Sequence, residues 1–129
     1  MPRKPSSQPN DVELAILGVL WDRGPSTVRD VHEALQDSRD SVYTGTAKMM
    51  QVMCDKGLLK RDDSVRPQLY SPAVPKEHTQ KQILRHVIQR VFGGSARKLV
   101  LRAVESEELP PDEVAEIRKL LKKMEGKKP

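Results

Sequence analysis

The stretch from Gly24 to Pro72 decides the fold of this 129-residue chain: GPSTVRDVHEALQDSRDSVYTGTAKMMQVMCDKGLLKRDDSVRPQLYSP. It contains two short helical patterns, at 28–35 and 43–56, and the second is followed by Gly57. Two extended segments, 58–61 and 68–70, then flank a polar turn at 62–64. Two helices followed by a hairpin predict a winged helix-turn-helix.

Both helices of this stretch carry local start and stop signals. Ser26 or Thr27 is expected to cap the first helix, with Asp30 three residues after Thr27 as in a capping box, and Thr44 is expected to cap the second helix. Gly57 ends that helix because glycine accepts a left-handed backbone conformation. Three- and four-residue spacing predicts an inward stripe of Thr46, Met49, Met50 and Met53. The opposite, outward face holds Thr44, Ala47, Lys48, Gln51 and Asp55.

Another helical pattern precedes this stretch. Residues 1–9 hold three prolines with Arg3 and Lys4 and predict a disordered N-terminal arm. Asn10 is expected to cap a helix that includes Leu17 and Leu20 and ends before Gly24. Residues 10–74 therefore predict one winged-helix DNA-binding domain.

Residues 75–129 predict a second module of three amphipathic helices. Gly93-Gly94 and Pro110-Pro111 separate the helical patterns, and Ser95 is expected to cap the middle helix. Helices this short cannot close a dry core alone, so we expect them to pair with a second copy of the chain. The predicted dimerisation residues are Ile83, Leu84, Val87, Ile88, Val91, Leu99, Val100, Ile117, Leu120, Leu121 and Met124.

Composition favours a mainly α protein with a small β wing. The chain is 36% hydrophobic with only 3% aromatic residues and five methionines, which suits helix packing better than a β-sandwich core. Its net charge of +5 favours a polyanionic partner. However, residues 1–72 carry 10 Lys and Arg against 10 Asp and Glu, whereas residues 73–129 carry 13 against 8. We therefore expect local patterning to place Arg3, Lys4, Lys48, Lys56, Lys60, Arg61 and Arg66 on one face.

Other classes of function find little support. The single cysteine, Cys54, permits neither an intrachain disulfide nor a multi-cysteine metal site, and it indicates a reducing cytoplasm. His32, His78 and His86 are too scattered for a ligand set, so no metal and no other cofactor is predicted. No segment is long enough to span a bilayer, so membrane insertion is not expected. The chain shows no phosphate loop and no nucleophile motif, so we do not expect an enzyme.

The candidate DNA contacts are the outward polar residues of the helix at 43–56 and the basic residues of the wing. A glutamine at Gln51 suits adenine, and a lysine at Lys48 suits guanine or a phosphate. A wing grips a phosphate strand through positive charge, which is the role expected of Arg66. For Lys60 and Arg61, phosphate contact and a solubilising charge on a strand edge are both open.

Several motifs resemble the penicillinase-repressor (BlaI/MecI) family of winged-helix repressors. The motifs are Tyr43-Thr44, Met49-Met50, Met53, Asp55-Lys56-Gly57-Leu58, Arg66 and Tyr70-Ser71-Pro72, and the similarity runs from near Glu13 into the C-terminal helices. The resemblance implies a cytoplasmic homodimer that binds a palindromic double-stranded operator and represses transcription until a membrane sensor protease system removes it. It also implies major-groove contacts by Thr44, Gly45 and Lys48 and a wing contact by Arg66. Tyr43, which directly precedes Thr44, is included among the expected DNA-binding residues.

The chain departs from the family pattern at several positions. Gly45 stands where a second threonine is usual, Val52 where a long basic side chain is common, and Val65 where the wing turn usually has glycine. The family's Asn-Phe cleavage position falls at Arg102-Ala103, which argues against release by that cleavage. The paired C-terminal cysteines of the related copper-responsive repressors are absent, so copper sensing by that route is not expected.

Two other functions stay open from the sequence. The neutral charge of residues 1–72 motivates a winged-helix protein-interaction module without sequence-specific DNA binding. A small-molecule-responsive regulator is the third possibility, and it needs a pocket that no residue pattern here specifies.

Overall fold

A computed structural model of the chain describes residues 8–36 and 42–126. Within these ranges the elements are α1 (Asp11–Arg23), α2 (Val28–Leu35), α3 (Tyr43–Asp55), β1 (Leu59–Asp62), β2 (Leu69–Pro72), α4 (Lys76–Val91), α5 (Ala96–Ser106) and α6 (Pro111–Glu125). The predicted mainly α class with a small β wing is confirmed. Of the predicted disordered arm at 1–9, residues 1–7 lie outside the described residues.

The chain divides into two compact units, Met1–Leu84 and Arg85–Pro129. The first unit contains the winged helix together with the beginning of α4, where Thr79 is only 2% exposed. The core of this unit is formed by Ile16, Leu17, Leu20, Val31, Leu35, Met50, Met53, Leu59 and Tyr70.

Capping boxes fix where α1 and α2 begin, as the sequence predicts for Asn10 and Thr27. The Asn10 side chain accepts a hydrogen bond from the Glu13 amide at 2.9 Å, and the Glu13 carboxylate accepts one from the Asn10 amide, also at 2.9 Å. At α2, Thr27 and Asp30 exchange the same pair of bonds at 3.1 and 3.2 Å. Both boxes satisfy amide groups that the first helical turn leaves without a partner.

The third helix begins one residue earlier than its predicted cap. Thr44 was expected to cap α3, but Tyr43 is already helical, so Val42 occupies the cap position and supplies no side-chain hydrogen bond. The predicted inward stripe is confirmed: Thr46, Met50 and Met53 are buried, and Met49 is half-buried. Gly57 adopts a φ of +81°, the left-handed conformation expected just beyond the helix end.

The wing is an antiparallel hairpin in which Leu59 pairs with Pro72 and Arg61 pairs with Tyr70. Both strands begin one residue later and end one or two residues later than the predicted segments, because β1 is Leu59–Asp62 and β2 is Leu69–Pro72. The loop before α2 also pairs with the wing: the Ser26 amide donates to the Tyr70 carbonyl at 3.0 Å, and the Tyr70 amide donates to the Ser26 carbonyl at 2.8 Å. This pairing spans 44 positions of sequence, so local patterns do not reveal it.

An ion pair between a buried carboxylate and a partly exposed lysine joins the beginning of α1 to the residue after α3. The Lys56 ammonium lies 2.7 Å from Oε2 of Glu13, and the Glu13 side chain is 1% exposed while that of Lys56 is 25% exposed. The other carboxylate oxygen of Glu13 accepts from the Asn10 amide, so both oxygens are engaged. Lys56 was expected on the shared basic face, but its charge is instead neutralised beside the core.

In the second unit, the predicted helices form but bury little. The Ser95 hydroxyl caps α5 by accepting from the Lys98 amide at 3.2 Å, as expected, and Pro111 occupies the first turn of α6. No residue of α5 or α6, both of which the structure describes in full, is buried. These helices therefore present apolar side chains to solvent in the single chain.

Replacing Glu13 by alanine is expected to lower the free energy of unfolding by about 2–3 kcal/mol, because the change removes a helix cap and the partner of Lys56. Glu13→Gln keeps an acceptor for the Asn10 amide and should cost about half as much. Urea denaturation measures both variants. Glu33→Ala, at an exposed position of α2, is the control and should stay within about 0.5 kcal/mol of the wild type. A Glu13→Ala protein as stable as this control would contradict the assigned role.

Candidate nucleic-acid interface

The outward face of α3 is polar and open to solvent. Thr44, Gly45, Lys48 and Gln51 are exposed, and Tyr43 is 42% exposed. The face points outward because Met50 and Met53, each 0% exposed, anchor the other side of the helix in the core. The structure therefore brings all five residues predicted on α3 to its solvent side.

Two residues of α2 contact the first turns of α3, and neither contact was predicted from sequence patterns. The Arg29 guanidinium lies 5.4 Å from the centre of the Tyr43 ring, and the His32 ring meets Tyr43 edge to face at 5.7 Å. Nδ1 of His32 also lies 3.0 Å from the Thr46 hydroxyl. These contacts fix Tyr43 at the edge of the polar face and place the Arg29 charge beside it.

The wing supplies three exposed basic residues in different settings. Within the described part of the chain, Lys60 and Arg66 make no ion pair or hydrogen bond through their side chains, as also holds for Lys48 of α3. Arg61 is engaged: its Nε donates to Oδ1 of Asp63 at 2.7 Å. Because strand side chains alternate, Lys60 and Arg61 face opposite sides of β1.

Arg61 also reaches across to α3. Its Nη1 donates to Oε1 of Gln51 at 2.6 Å, and Nε2 of Gln51 donates to Asp55 at 3.3 Å. The hydrogen bond that Arg61 donates to Asp63 is the main cause that raises the pKa of Arg61 above its usual value, and a hydrogen bond with Tyr70 adds to it. The wing and α3 are thus joined at Gln51 on the polar face.

The loop between the strands is organised by acidic residues. Ser64 donates to Asp62 through its amide at 3.0 Å and through its hydroxyl at 2.5 Å. These bonds lower the pKa of the Asp62 carboxyl. The wing therefore carries fixed negative charges at Asp62 and Asp63 beside the basic residues predicted to meet DNA.

The single cysteine lies behind this surface. Cys54 is half-buried on α3, and burial is the main cause that raises the pKa of its thiol. The protonated thiol is the less reactive form, which does not favour an oxidation sensor. Among the described residues, no group of three His, Cys, Asp or Glu side chains is arranged to hold a metal ion. No helix in the ranges that the structure describes is long and apolar enough to cross a membrane.

The predicted dimerisation residues differ in exposure. Ile83, Val87, Ile88 and Leu99 are half-buried in the single chain. The others are open to solvent: Leu84, Val91, Val100, Ile117, Leu120, Leu121 and Met124 are between 40% and 70% exposed.

Comparison with known proteins identifies the family. The model of the penicillinase repressor family matches residues 10–123 of the chain. The chain belongs to the penicillinase repressor family. This family is one of transcriptional regulators, and the resemblance read from Tyr43 to Pro72 is confirmed.

Two members of the penicillinase repressor family illustrate the similarity. Transcriptional regulator BlaI of Mycobacterium tuberculosis is 30% identical over 118 residues, which cover 90% of this chain and 84% of BlaI. Methicillin resistance regulatory protein MecI of Staphylococcus aureus is 23% identical over 114 residues, which cover 88% of this chain and 93% of MecI.

A solved structure also matches. The solution structure of the monomeric form of Bacillus licheniformis BlaI, in complex with the blaP half-operator, is 22% identical with a TM-score of 0.49. The match covers 60% of this chain and 92% of that one.

The positions that depart from the penicillinase repressor family pattern are exposed. A Cβ added at Gly45 would meet only Cγ2 of Val42, at 3.7 Å, which is an ordinary van der Waals contact. Val52 and Val65 are 39% and 38% exposed, which places both on the surface. Arg102, in α5, pairs with Glu105 at 2.9 Å and is exposed together with Ala103.

Proposed function

We propose that the chain is a homodimeric transcriptional repressor that recognises a palindromic double-stranded operator. Each protomer would insert α3 into the major groove of one half-site, and the wing would contact the neighbouring phosphate strand. The proposed partners are operator DNA, a second copy of the chain, and a membrane sensor protease system that ends repression. The proposed location is the cytoplasm, and no catalytic activity is part of this function.

The observation that carries this proposal is the two-sided character of α3. Met50 and Met53 are fully buried, whereas Thr44, Lys48 and Gln51 stand exposed on the other side. The major groove is wide enough to admit one α-helix, and the exposed side chains of a helix whose other side is packed in the core can contact the base edges there. The proposed DNA contacts are Tyr43, Thr44, Gly45, Lys48 and Gln51 on the helix and Lys60, Arg61 and Arg66 on the wing.

Positive charge supports DNA binding at three individual side chains, although residues 1–72 as a whole carry no net charge. Lys48, Lys60 and Arg66 have no bonded partner among the described residues, so each is available to a phosphate. Lys56, by contrast, is paired with Glu13 and is left out of the proposed surface. Few free cations predict a modest salt dependence compared with strongly basic DNA-binding domains.

Dimerisation by the C-terminal helices is supported by their exposed apolar residues. On α6, Leu120, Leu121 and Met124 are 59%, 53% and 63% exposed, and apolar side chains in such number are costly to leave in water. A second copy that covers them would set the distance between the two recognition helices. For half-sites on one face of B-DNA, that distance is about 34–36 Å or a multiple.

A protein-interaction module is the alternative function, and one observation favours it. Residues 1–72 have no net charge, and Asp55, Asp62 and Asp63 lie on or beside the proposed DNA surface. A partner protein would tolerate these carboxylates more readily than a phosphate backbone would.

Charge reversal at Lys48 or Arg66 is expected to weaken binding to a duplex from the protein's own promoter by about tenfold, because each change turns a phosphate attraction into a repulsion. Fluorescence anisotropy across a salt series measures the affinities for promoter and random duplexes. The control is Lys81→Glu, an exposed charge reversal on α4, outside α3 and the wing.

The outcomes separate the two functions. Preference of the wild type for promoter over random duplex, with affinity weakened in both variants and unchanged in the control, supports the repressor. Equal affinity of the wild type for the two duplexes at every salt concentration would overturn it. Unchanged DNA binding in Lys48→Glu and Arg66→Glu, with loss of a protein partner, would favour the interaction module.

Leu120→Glu is expected to make the protein monomeric, because it places a charge in the apolar face that a second copy would cover. Sedimentation velocity measures the mass. Affinity for a duplex with two half-sites should fall about a hundredfold, since the two contacts no longer act together, while affinity for one half-site stays constant. Lys119→Ala, a neighbouring exposed position, is the control. A Leu120→Glu protein that remains dimeric would contradict this interface.

A further inference from the structure

Gln51 lies between two neighbours of opposite hydrogen-bonding character. Nη1 of Arg61 donates to its Oε1 at 2.6 Å, and its Nε2 donates to Oδ1 of Asp55 at 3.3 Å. A guanidinium can only donate and an ionised carboxylate can only accept. The reversed orientation of the Gln51 amide would face donor with donor and acceptor with acceptor. The two neighbours therefore fix which end of the amide carries the oxygen.

Arg61 is itself held in place by the wing. Its Nε lies 2.7 Å from Oδ1 of Asp63, and its Nη2 lies 3.5 Å from Oδ2 of the same carboxylate. Gln68, the residue before β2, also donates to Asp63, and its Nε2 lies 2.8 Å from Oδ1 of Asp63. A continuous series of hydrogen bonds thus runs from Gln68 through Asp63 and Arg61 to Gln51 and Asp55.

The Gln51 amide keeps unused hydrogen-bonding capacity. Its oxygen has two lone pairs, of which Arg61 occupies one, and its nitrogen has two hydrogens, of which Asp55 receives one. One acceptor and one donor remain on an exposed side chain. Adenine presents the complementary N6 donor and N7 acceptor in the major groove, whereas guanine presents two acceptors there.

We propose that Gln51 determines specificity for adenine at one position of each half-site and that Arg61 is the positioning residue that fixes its amide. This inference rests on the proposed DNA-binding function and deepens it. It assigns Arg61 to helix–wing coupling, whereas the sequence left open only phosphate contact or a solubilising charge. Asp63 supports the arrangement by orienting Arg61, although its charge opposes the approach of phosphate.

The test is selection of duplexes from a random pool by the full-length protein, followed by affinity measurements on single-pair substitutions of the selected half-site. The variants are Gln51→Ala and Arg61→Ala. Lys60→Ala is the matched control, because it removes the same charge from the adjacent position of the same strand but faces away from Gln51. Thermal unfolding verifies that each exposed substitution leaves the fold intact.

For the wild type, exchanging one particular A·T pair of the half-site for G·C is expected to weaken binding about tenfold. In both Gln51→Ala and Arg61→Ala, this preference should fall below about threefold at the same pair, while preferences at the other pairs persist. Lys60→Ala should bind all sequences more weakly and keep every preference.

Asp63→Ala provides a second readout, because a residue with only a structural role would not change sequence preference and affinity in opposite directions. Removing this carboxylate should raise affinity for all duplexes, because phosphates meet less negative charge. It should at the same time reduce the preference at the Gln51 pair, because Arg61 loses the group that orients it. Higher affinity with unchanged preference at that pair would overturn the positioning role.

Failure of this inference and failure of the proposed function give different results. A wild-type protein that enriches no motif overturns both. A wild-type protein that enriches a motif, with Arg61→Ala and Lys60→Ala giving the same preferences at every pair, overturns the inference alone and leaves the repressor in place.

Discussion

The burial of one side of α3 is the constraint on which the rest of the structure depends. Met50 and Met53 are fully buried, and burying each side chain contributes about 1.5–3 kcal/mol. A rotation of the helix by half a turn would expose both methionines and bury Lys48 and Gln51 without partners. That cost fixes the rotation of the helix about its axis, so the polar side faces outward.

Two polar contacts complete this placement at the ends of the helix. Thr46, in the first turns, meets His32 of α2, and Lys56, just beyond the last turn, meets Glu13 of α1. The Glu13 carboxylate serves the cap of α1 and the end of α3 together, so the beginning of the chain's first helix is coupled to the recognition helix. The wing is coupled to the same helix through Arg61 and Gln51. The candidate surface therefore combines a helix and a hairpin that are joined by side-chain hydrogen bonds.

Local signals made the elements of this fold predictable, and long-range polar contacts did not. The cap at Asn10, the capping box at Thr27 and the methionine stripe depend on residues a few positions apart, so sequence spacing reveals them. The second half of the box at Asn10, supplied by Glu13, was not predicted. Glu13 and Lys56 are 43 positions apart, and only the packing of α1 against α3 shows that they meet. Likewise, Arg61 gives no sign in the sequence of bonding to Gln51 on another element. The Thr44 cap was wrong because the helix begins at Tyr43, which helix propensity does not determine to one residue.

Solvent paramagnetic relaxation, measured by NMR on amide and methionine methyl signals with a soluble gadolinium reagent, tests the central claim most directly. In the free protein, the amides of Gly45, Lys48 and Gln51 should relax strongly, while the methyls of Met50 and Met53 stay protected. Adding a promoter duplex should protect these amides and leave the two methyls unchanged. Exposed Met50 and Met53 methyls in the free protein, or α3 amides that remain equally accessible in the DNA complex, would contradict the account.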